Sequence, residues 1–196
     1  MVFDYIMDKA EALRALHDEI SADRTLPLRE ANLVFGEGSL HCDVLFIGEA
    51  PGQKEDELVR PFVGRSGQLL NKMLEEIGMR REDVYITNIV KRRPPENRDP
   101  SPEEIAAYKP YLTRQIAILK PCVIVTLGRF SMNYFLPDAK ISRDEGKLIR
   151  VGEYFIYPLF HPAAALRSPQ MMATFRKSFL QLPRALSKCK ELQGGV

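Results

Sequence analysis

FIGEAPGQKEDELVRPFVGRSG, residues Phe46 to Gly67, reads as the end of a buried strand followed by a loop that carries chemistry. The apolar run Val44 to Ile47 is bounded by Asp43 and Gly48, the pattern of a short buried strand. After Gly48 come Glu49, then Ala50, Pro51 and Gly52, which permit a sharp bend, then Glu55 and Asp56. Carboxylates are gathered where a strand ends, and in a parallel α/β sheet that end is where ligand crevices form. Glu49 is therefore a candidate acid or base. A surface connection rich in solvated acids is the competing reading of the same residues.

Outward from this loop the chain alternates helix and strand. Ser66 is read as the N-cap of a helix through Leu69, Leu70, Met73, Leu74 and Ile77, ended by Gly78. Val84 to Thr87 is a second strand with Asn88 at its C-terminal end, and the prolines of the basic run KRRPPENRDPSP then forbid regular structure. Ser101, Pro102, Glu103 and Glu104 make a strong helix start, and that helix should run to about Leu119. Val123 to Leu127 is a third strand, and Arg129 to Phe135 a short helix. A fourth strand, Tyr154 to Leu159, ends on Phe160, His161 and Pro162. A last helix from about Gln170 to Lys190 is expected to kink or split at Pro183. Upstream, Ile6, Ala10, Leu13, Leu16 and Ile20 form a stripe at helical spacing from about Tyr5 to Ile20. An irregular lead-in follows, with a strand-like piece at Leu33 to Phe35.

Four strand-like runs separated by helices predict an α/β fold, a parallel doubly wound sheet with helices on both faces. Crossover geometry gathers the strand ends along one edge, so Glu49, Asn88 and His161 are expected to converge although far apart in sequence.

A chain of 196 residues is long enough for one well-buried α/β domain and short for two, so residues 1–196 are read as one domain. Apolar residues at 45% and charged residues at 28% exclude wholesale disorder. No run approaches the roughly 18 apolar residues of a membrane span. The first residues, interrupted by Asp4, Asp8, Lys9 and Glu11, are not a signal peptide, so a cytoplasmic protein is expected. Cys42, Cys122 and Cys189 are odd in number and widely spaced, which fits reduced thiols and neither a disulfide framework nor a metal knuckle. His17, His41 and His161 form no ligand pair, and no metal or cofactor is expected. The net charge of +2 is too small to indicate nucleic acid by itself; local clusters of basic residues matter more.

GEAPG followed by ED, PFVGRSGQLL, VYITN with KRRPP and NR, QI near LKPCVIVTLG, and HPAAALR together resemble a family 4 uracil-DNA glycosylase over about Val34 to Pro169. The resemblance implies a three-layer α/β/α domain around a central, mainly parallel four-stranded sheet. It also implies an enzyme that flips uracil out of DNA and hydrolyses its N-glycosidic bond. Phe62 resembles the aromatic on which the base stacks; an ordinary core phenylalanine is the alternative. Asn88 resembles the reader of the uracil edge, with an amide donor for O4 and an acceptor for the N3 proton. His161 resembles the histidine that donates to O2 as charge develops on the departing base. Glu49 resembles the carboxylate that positions or activates water and faces the cationic sugar. Glu55 is the second carboxylate, implied to lie near the base or to order the loop, and Gly48, Ala50, Pro51 and Gly52 are assigned to the pocket wall.

Arg65, Lys91, Arg92, Arg93, Arg98 and Arg167 are the candidate contacts to DNA, and Leu166 or Arg167 the wedge that fills the gap left by the flipped base. Family 4 enzymes hold an iron-sulfur cluster through four cysteines. The corresponding positions here are Asp23, Leu26, Arg92 and Tyr108, so no cluster is expected. Tyr108 is expected to fill space, and Asp23 to meet Arg92. The expected partner is uracil-containing DNA, with no membrane, and the chain is expected to act as a monomer. Rival readings are a preference for hypoxanthine or xanthine, a damage-binding module without turnover, and a nucleotide- or phosphate-binding α/β protein with no role on DNA.

Overall fold

The computed structural model describes residues 8–194. In chain order the main elements are α1 (Lys9–Ala22), β1 (Glu37–Gly38), β2 (Val44–Gly48), α2 (Gln53–Leu58), α3 (Arg65–Glu76) and β3 (Tyr85–Asn88). There follow α4 (Pro102–Leu119), β4 (Val123–Leu127), α5 (Arg129–Phe135), α6 (Ile141–Asp144), β5 (Ile149–Val151) and β6 (Tyr154–Leu159), then α7 (Pro162–Ala165), α8 (Pro169–Leu180) and α9 (Leu182–Gly194).

The sheet order is β1-β3-β2-β4-β6-β5. Its four central strands are parallel, and β1 and β5 pair antiparallel at the two edges. The four expected strands thus form the centre. The two edge strands, three residues or shorter, carry too little periodicity to be read from sequence. Leu33 to Phe35 is not a strand; the lead-in pairs at Glu37 and Gly38 instead.

Alternation along the strands explains the layers. Val44, Phe46, Val123, Val125, Phe155 and Tyr157 face one side and pack on Leu70, Met73, Phe175, Phe179 and Leu182 of α3, α8 and α9. Leu45, Ile47, Ile124 and Ile156 face the other, against Leu13, Leu16 and Ile20 of α1 and Leu112 and Ile116 of α4. The architecture is the expected three-layer α/β/α. The chain leaves β2 for β3 on one side and returns to β4 on the other, which opens the crevice of a doubly wound sheet at the C-terminal ends of these strands.

Local signals account for most element ends. Ser101 caps α4 in a reciprocal capping box with Glu104, and the last helix is split at Gln181, two residues before Pro183. The first helix begins at Lys9, and the part expected before Asp8, with Ile6, lies outside the described residues. Helix α3 starts at Arg65 with Gly64 as its N-cap, not at Ser66, and α2 is a short helix within the loop read as pure turn.

One expectation about the thiols is overturned. Cys122, just before β4, and Cys189, on α9, form a disulfide across 67 residues, with their Cα atoms 6.4 Å apart. Sequence separation says nothing about proximity once α9 folds back onto the sheet. Cys42 is free and buried. Among the described residues no helix is long and apolar enough to cross a membrane.

Candidate functional site

Glu49 leaves β2, Asn88 ends β3, Gly128 follows β4 and His161 follows β6, and all four line one cavity of about 740 Å³. Register sets the closest pair: Gly48 and Asn88 are partners across the β2–β3 ladder. Only glycine fits at 48, because a Cβ there would lie 2.4 Å from Asn88 Oδ1 and 2.6 Å from Phe62 Cζ. The Asn88 carboxamide and the Phe62 ring therefore close over Gly48 as adjacent parts of one wall. Asn88 Oδ1 is buried without a hydrogen-bond partner, an acceptor held out of water and left free.

Phe62 reaches this wall through a left-handed backbone, with φ of 50°. Two side chains hold it there. Glu55 Oε1 accepts from the Val63 and Gly64 amides at 2.9 and 2.7 Å, and the Arg81 guanidinium donates to the Pro61 and Phe62 carbonyls and to Asn71 Oδ1. Gly67 packs directly on the Phe62 carbonyl, where any side chain would collide. Of the two roles weighed for Glu55, ordering of the loop is the one its hydrogen bonds perform. The Phe62 and His161 rings lie 5.9 Å apart, tilted by 35°, a direct aromatic contact that sets both rings in the lining of the same cavity.

His161 caps α7, with Nδ1 accepting from the Ala163 amide at 3.1 Å. A neutral imidazole with a lone pair committed at Nδ1 carries its proton on Nε2. Burial, helped by the charge of Arg167, pulls its pKa down to about 4, so the ring is neutral at physiological pH with an N–H to donate. Burial pushes Glu49 the other way, up to about 7; Asp99 adds to the rise and Arg129 opposes it. Asp99 and Arg129 are paired at 3.1 Å and line the cavity with Phe130, and the Arg129 guanidinium lies over the Phe130 ring at 4.1 Å. None of these three was singled out from sequence. Arg129 follows Gly128 at the end of the third strand, so the strand-end rule that found Asn88 and His161 points to it as well.

Pro51, Gly52, Ala50 and Glu55 line the cavity as expected, as do Arg65, Arg98 and Arg167. Among the described residues Arg65 and Arg167 make no ion pair, whereas Arg98 holds Glu104 through two hydrogen bonds and Arg93 bonds Asn97. Two of the expected DNA contacts are corrected. Lys91 is fully buried, and Arg92, 7% exposed, donates inward to the Ala31 carbonyl. A basic run reads as surface, but the turn after β3 folds these two side chains inward, Lys91 onto Thr87, Asn88 and Gln115 and Arg92 onto Ala31. Leu166 is exposed at the end of α7, Ala165 is buried beneath it, and Met171, unnoticed in the sequence, is exposed beside the cavity.

The positions that correspond to cluster cysteines do not fit an iron-sulfur cluster. Leu26 is buried in the apolar core, and Tyr108, fully buried, donates its hydroxyl to the Pro27 carbonyl at 2.8 Å. Tyr108 fills space as expected, but Asp23 does not meet Arg92. Asp23 accepts from Thr25 and from the Tyr111 hydroxyl. No thiolate is supplied at any of the four.

The family model described as "Uracil DNA glycosylase superfamily" matches residues 35–184. The chain is 48% identical over 146 residues to a Type-4 uracil-DNA glycosylase of Thermotoga maritima, covering 73% of this chain and 76% of that one. It is 43% identical over 167 residues to one of Saccharolobus solfataricus, covering 80% and 77%. It is 41% identical over 189 residues to one of Archaeoglobus fulgidus, covering 91% and 95%.

Proposed function

From the premise that this chain belongs to the uracil-DNA glycosylase superfamily, we infer that it is a monofunctional base-excision repair enzyme that hydrolyses the N-glycosidic bond of deoxyuridine in DNA. The observation that carries the reading for this chain's own residues is the free, buried Asn88 Oδ1 beside the Phe62 ring in the strand-end cavity. A flipped uracil stacks on Phe62, a contact of roughly 1 to 3 kcal/mol for a base on an aromatic. Its N3 proton meets Asn88 Oδ1 and its O4 the amide nitrogen; cytosine, with the opposite pattern, leaves both unpaired.

As the bond from C1′ to N1 lengthens, its electron pair moves onto the base, and the Nε2–H of neutral His161 donates to O2, where that charge collects. Ionised Glu49 faces the cationic sugar and takes the proton of the water that attacks C1′. Free uracil and an abasic site result, and the strand stays intact. Arg65 and Arg167, which line the cavity and make no ion pair among the described residues, are the candidate phosphate contacts, with Arg93, Arg98 and Arg129 less available because each is already engaged. Leu166, with Met171 beside the cavity, is suited to enter the gap left by the flipped base.

The test is a labelled oligonucleotide with a single uracil, incubated with the protein and treated with alkali. Scission at the uracil is expected, and its absence at any enzyme concentration overturns the reading. Hypoxanthine, xanthine and thymine in the same position define the range.

A further inference from the structure

Lys91 has no part in the chemistry described above, yet it is fully buried and sits three residues after Asn88. Its Nζ donates to the Asn88 backbone carbonyl at 2.9 Å, to Thr87 Oγ1 at 2.6 Å and to Gln115 Oε1 at 2.6 Å. Three acceptors meet the three protons of an ammonium. The acceptors are themselves fixed from behind. Thr87 Oγ1 donates to the Phe35 carbonyl at 2.7 Å, and Gln115 Nε2 to the same carbonyl and to the Tyr85 hydroxyl, both at 3.2 Å. Thr87 and Gln115 are fully buried.

An ammonium with no carboxylate among these partners carries a large desolvation penalty, and burial lowers its pKa well below that of an exposed lysine. An apolar side chain would fill the space without that penalty, so the hydrogen bonds call for another explanation. The same turn supplies one. The Ile89 and Val90 amides donate to the Gly48 and Glu49 carbonyls at 3.0 Å each, and the Lys91 carbonyl accepts from Val34 at 2.8 Å. The turn after Asn88 is thereby tied to the end of β2, which shares the pocket wall with Asn88, and to the lead-in at Val34.

We propose that Lys91 is a positioning residue for base recognition: by holding the Asn88 carbonyl to Thr87 and Gln115, it fixes the direction in which the Asn88 carboxamide points. Recognition through an acceptor and a donor of one amide depends on its angle as well as its presence, so a free strand end would blunt it. The proposal rests on the assignment of Asn88 as base reader, and the two fail separately.

The experiment is a double-mutant cycle read by single-turnover excision of uracil at saturating enzyme. Binding to abasic product DNA, where no base occupies the pocket, is measured alongside. Lys91→Met is expected to slow excision by about 10- to 100-fold while product affinity stays within about twofold, since a 1.4 kcal/mol change is tenfold. In the Asn88→Ala background, Lys91→Met should cost little more. A full rate in Lys91→Met, or the same fold-loss with and without Asn88, overturns the proposal. A full rate in Asn88→Ala overturns the base-reading assignment instead. Thr87→Val, which removes one acceptor at nearly constant shape, provides the test should Lys91→Met not fold. It should slow excision, with Thr87→Ser restoring it, and equal rates in Thr87→Val and wild type overturn the proposal.

Discussion

At the scale of single residues, pocket chemistry and stability pull against each other at Glu49. Its folded pKa of about 7 lies above the ordinary value of 4.5, so the folded protein holds a proton that the unfolded chain releases. This contribution to stability is whole below about pH 4.5 and is lost as the pH rises through 7, by roughly 3 kcal/mol at about 1.4 kcal/mol per unit. As the proposed base, Glu49 must act in its ionised form. The single-turnover rate should therefore rise about tenfold per pH unit up to about 7 and then level off, with no acid-side loss from His161 until about pH 4. Glu49→Gln should flatten that profile at a low rate and raise the unfolding free energy at pH 8 by about 1 to 3 kcal/mol; a wild-type profile that falls between pH 6 and 8 removes Glu49 as the base. Gly48→Ala tests the wall directly. Its Cβ would displace both Asn88 and Phe62, so excision should drop by about 100-fold or more while overpacking costs about 1 to 3 kcal/mol, and an unchanged rate would mean that neither group contacts the base. The convergence of Glu49, Asn88 and His161 on one cavity was legible in sequence because each stands at or just past the end of a strand, where polarity is conspicuous. Lys91 and Arg92 were misread because a charge in a basic run carries no mark of burial.

At the scale of elements, the segment from α2 into α3 is a clamp rather than a loose loop. Val59 and Phe62 both hold positive φ, 54° and 50°, a conformation that disfavours residues with a Cβ by about 1 to 2 kcal/mol each. Glu55, on α2, offsets this by accepting the two amides that follow Phe62, and Arg81 by donating to the Pro61 carbonyl and to that of Phe62 itself. Glu55→Ala strands two amides and should slow excision by about 10-fold or more, with about 1 to 3 kcal/mol lost for an unsatisfied amide. Glu55→Gln retains an acceptor oxygen and should keep most of the rate. Equal losses in the two variants would show instead that the negative charge itself acts on the substrate. The clamp was only half legible. The Glu and the glycines were visible, but the partner Arg81 lies 26 residues beyond Glu55 and reads as ordinary surface charge. Helix α2 itself was hidden by the Pro and Gly before it, whose turn signal dominates a helix of six residues.

At the scale of the whole molecule, the three layers follow from the four central strands and the helices between them, and these were visible because buried parallel strands are uninterrupted apolar runs. What escaped reading is whatever depends on long-range closure: the edge strands, too short to show a period, and the link between Cys122 and Cys189. That link ties α9 to the start of β4, so the last helix is held to the sheet covalently as well as by Phe175, Phe179 and Leu182 packing on it. A crosslink of this span restricts the unfolded chain, and loop closure over 67 residues is worth about 4 kcal/mol. Cys42 makes the thiol count decisive, since burial pushes it up to about 11 and shields it in the folded protein. Protein unfolded in guanidinium without reductant should titrate one thiol per chain, rising to three after reduction. The reduced form should unfold at lower denaturant, by about 2 to 4 kcal/mol in extrapolated stability. Three thiols in the unreduced protein would show that the two sulfurs are neighbours without a bond, and α9 would then be held by its apolar face alone.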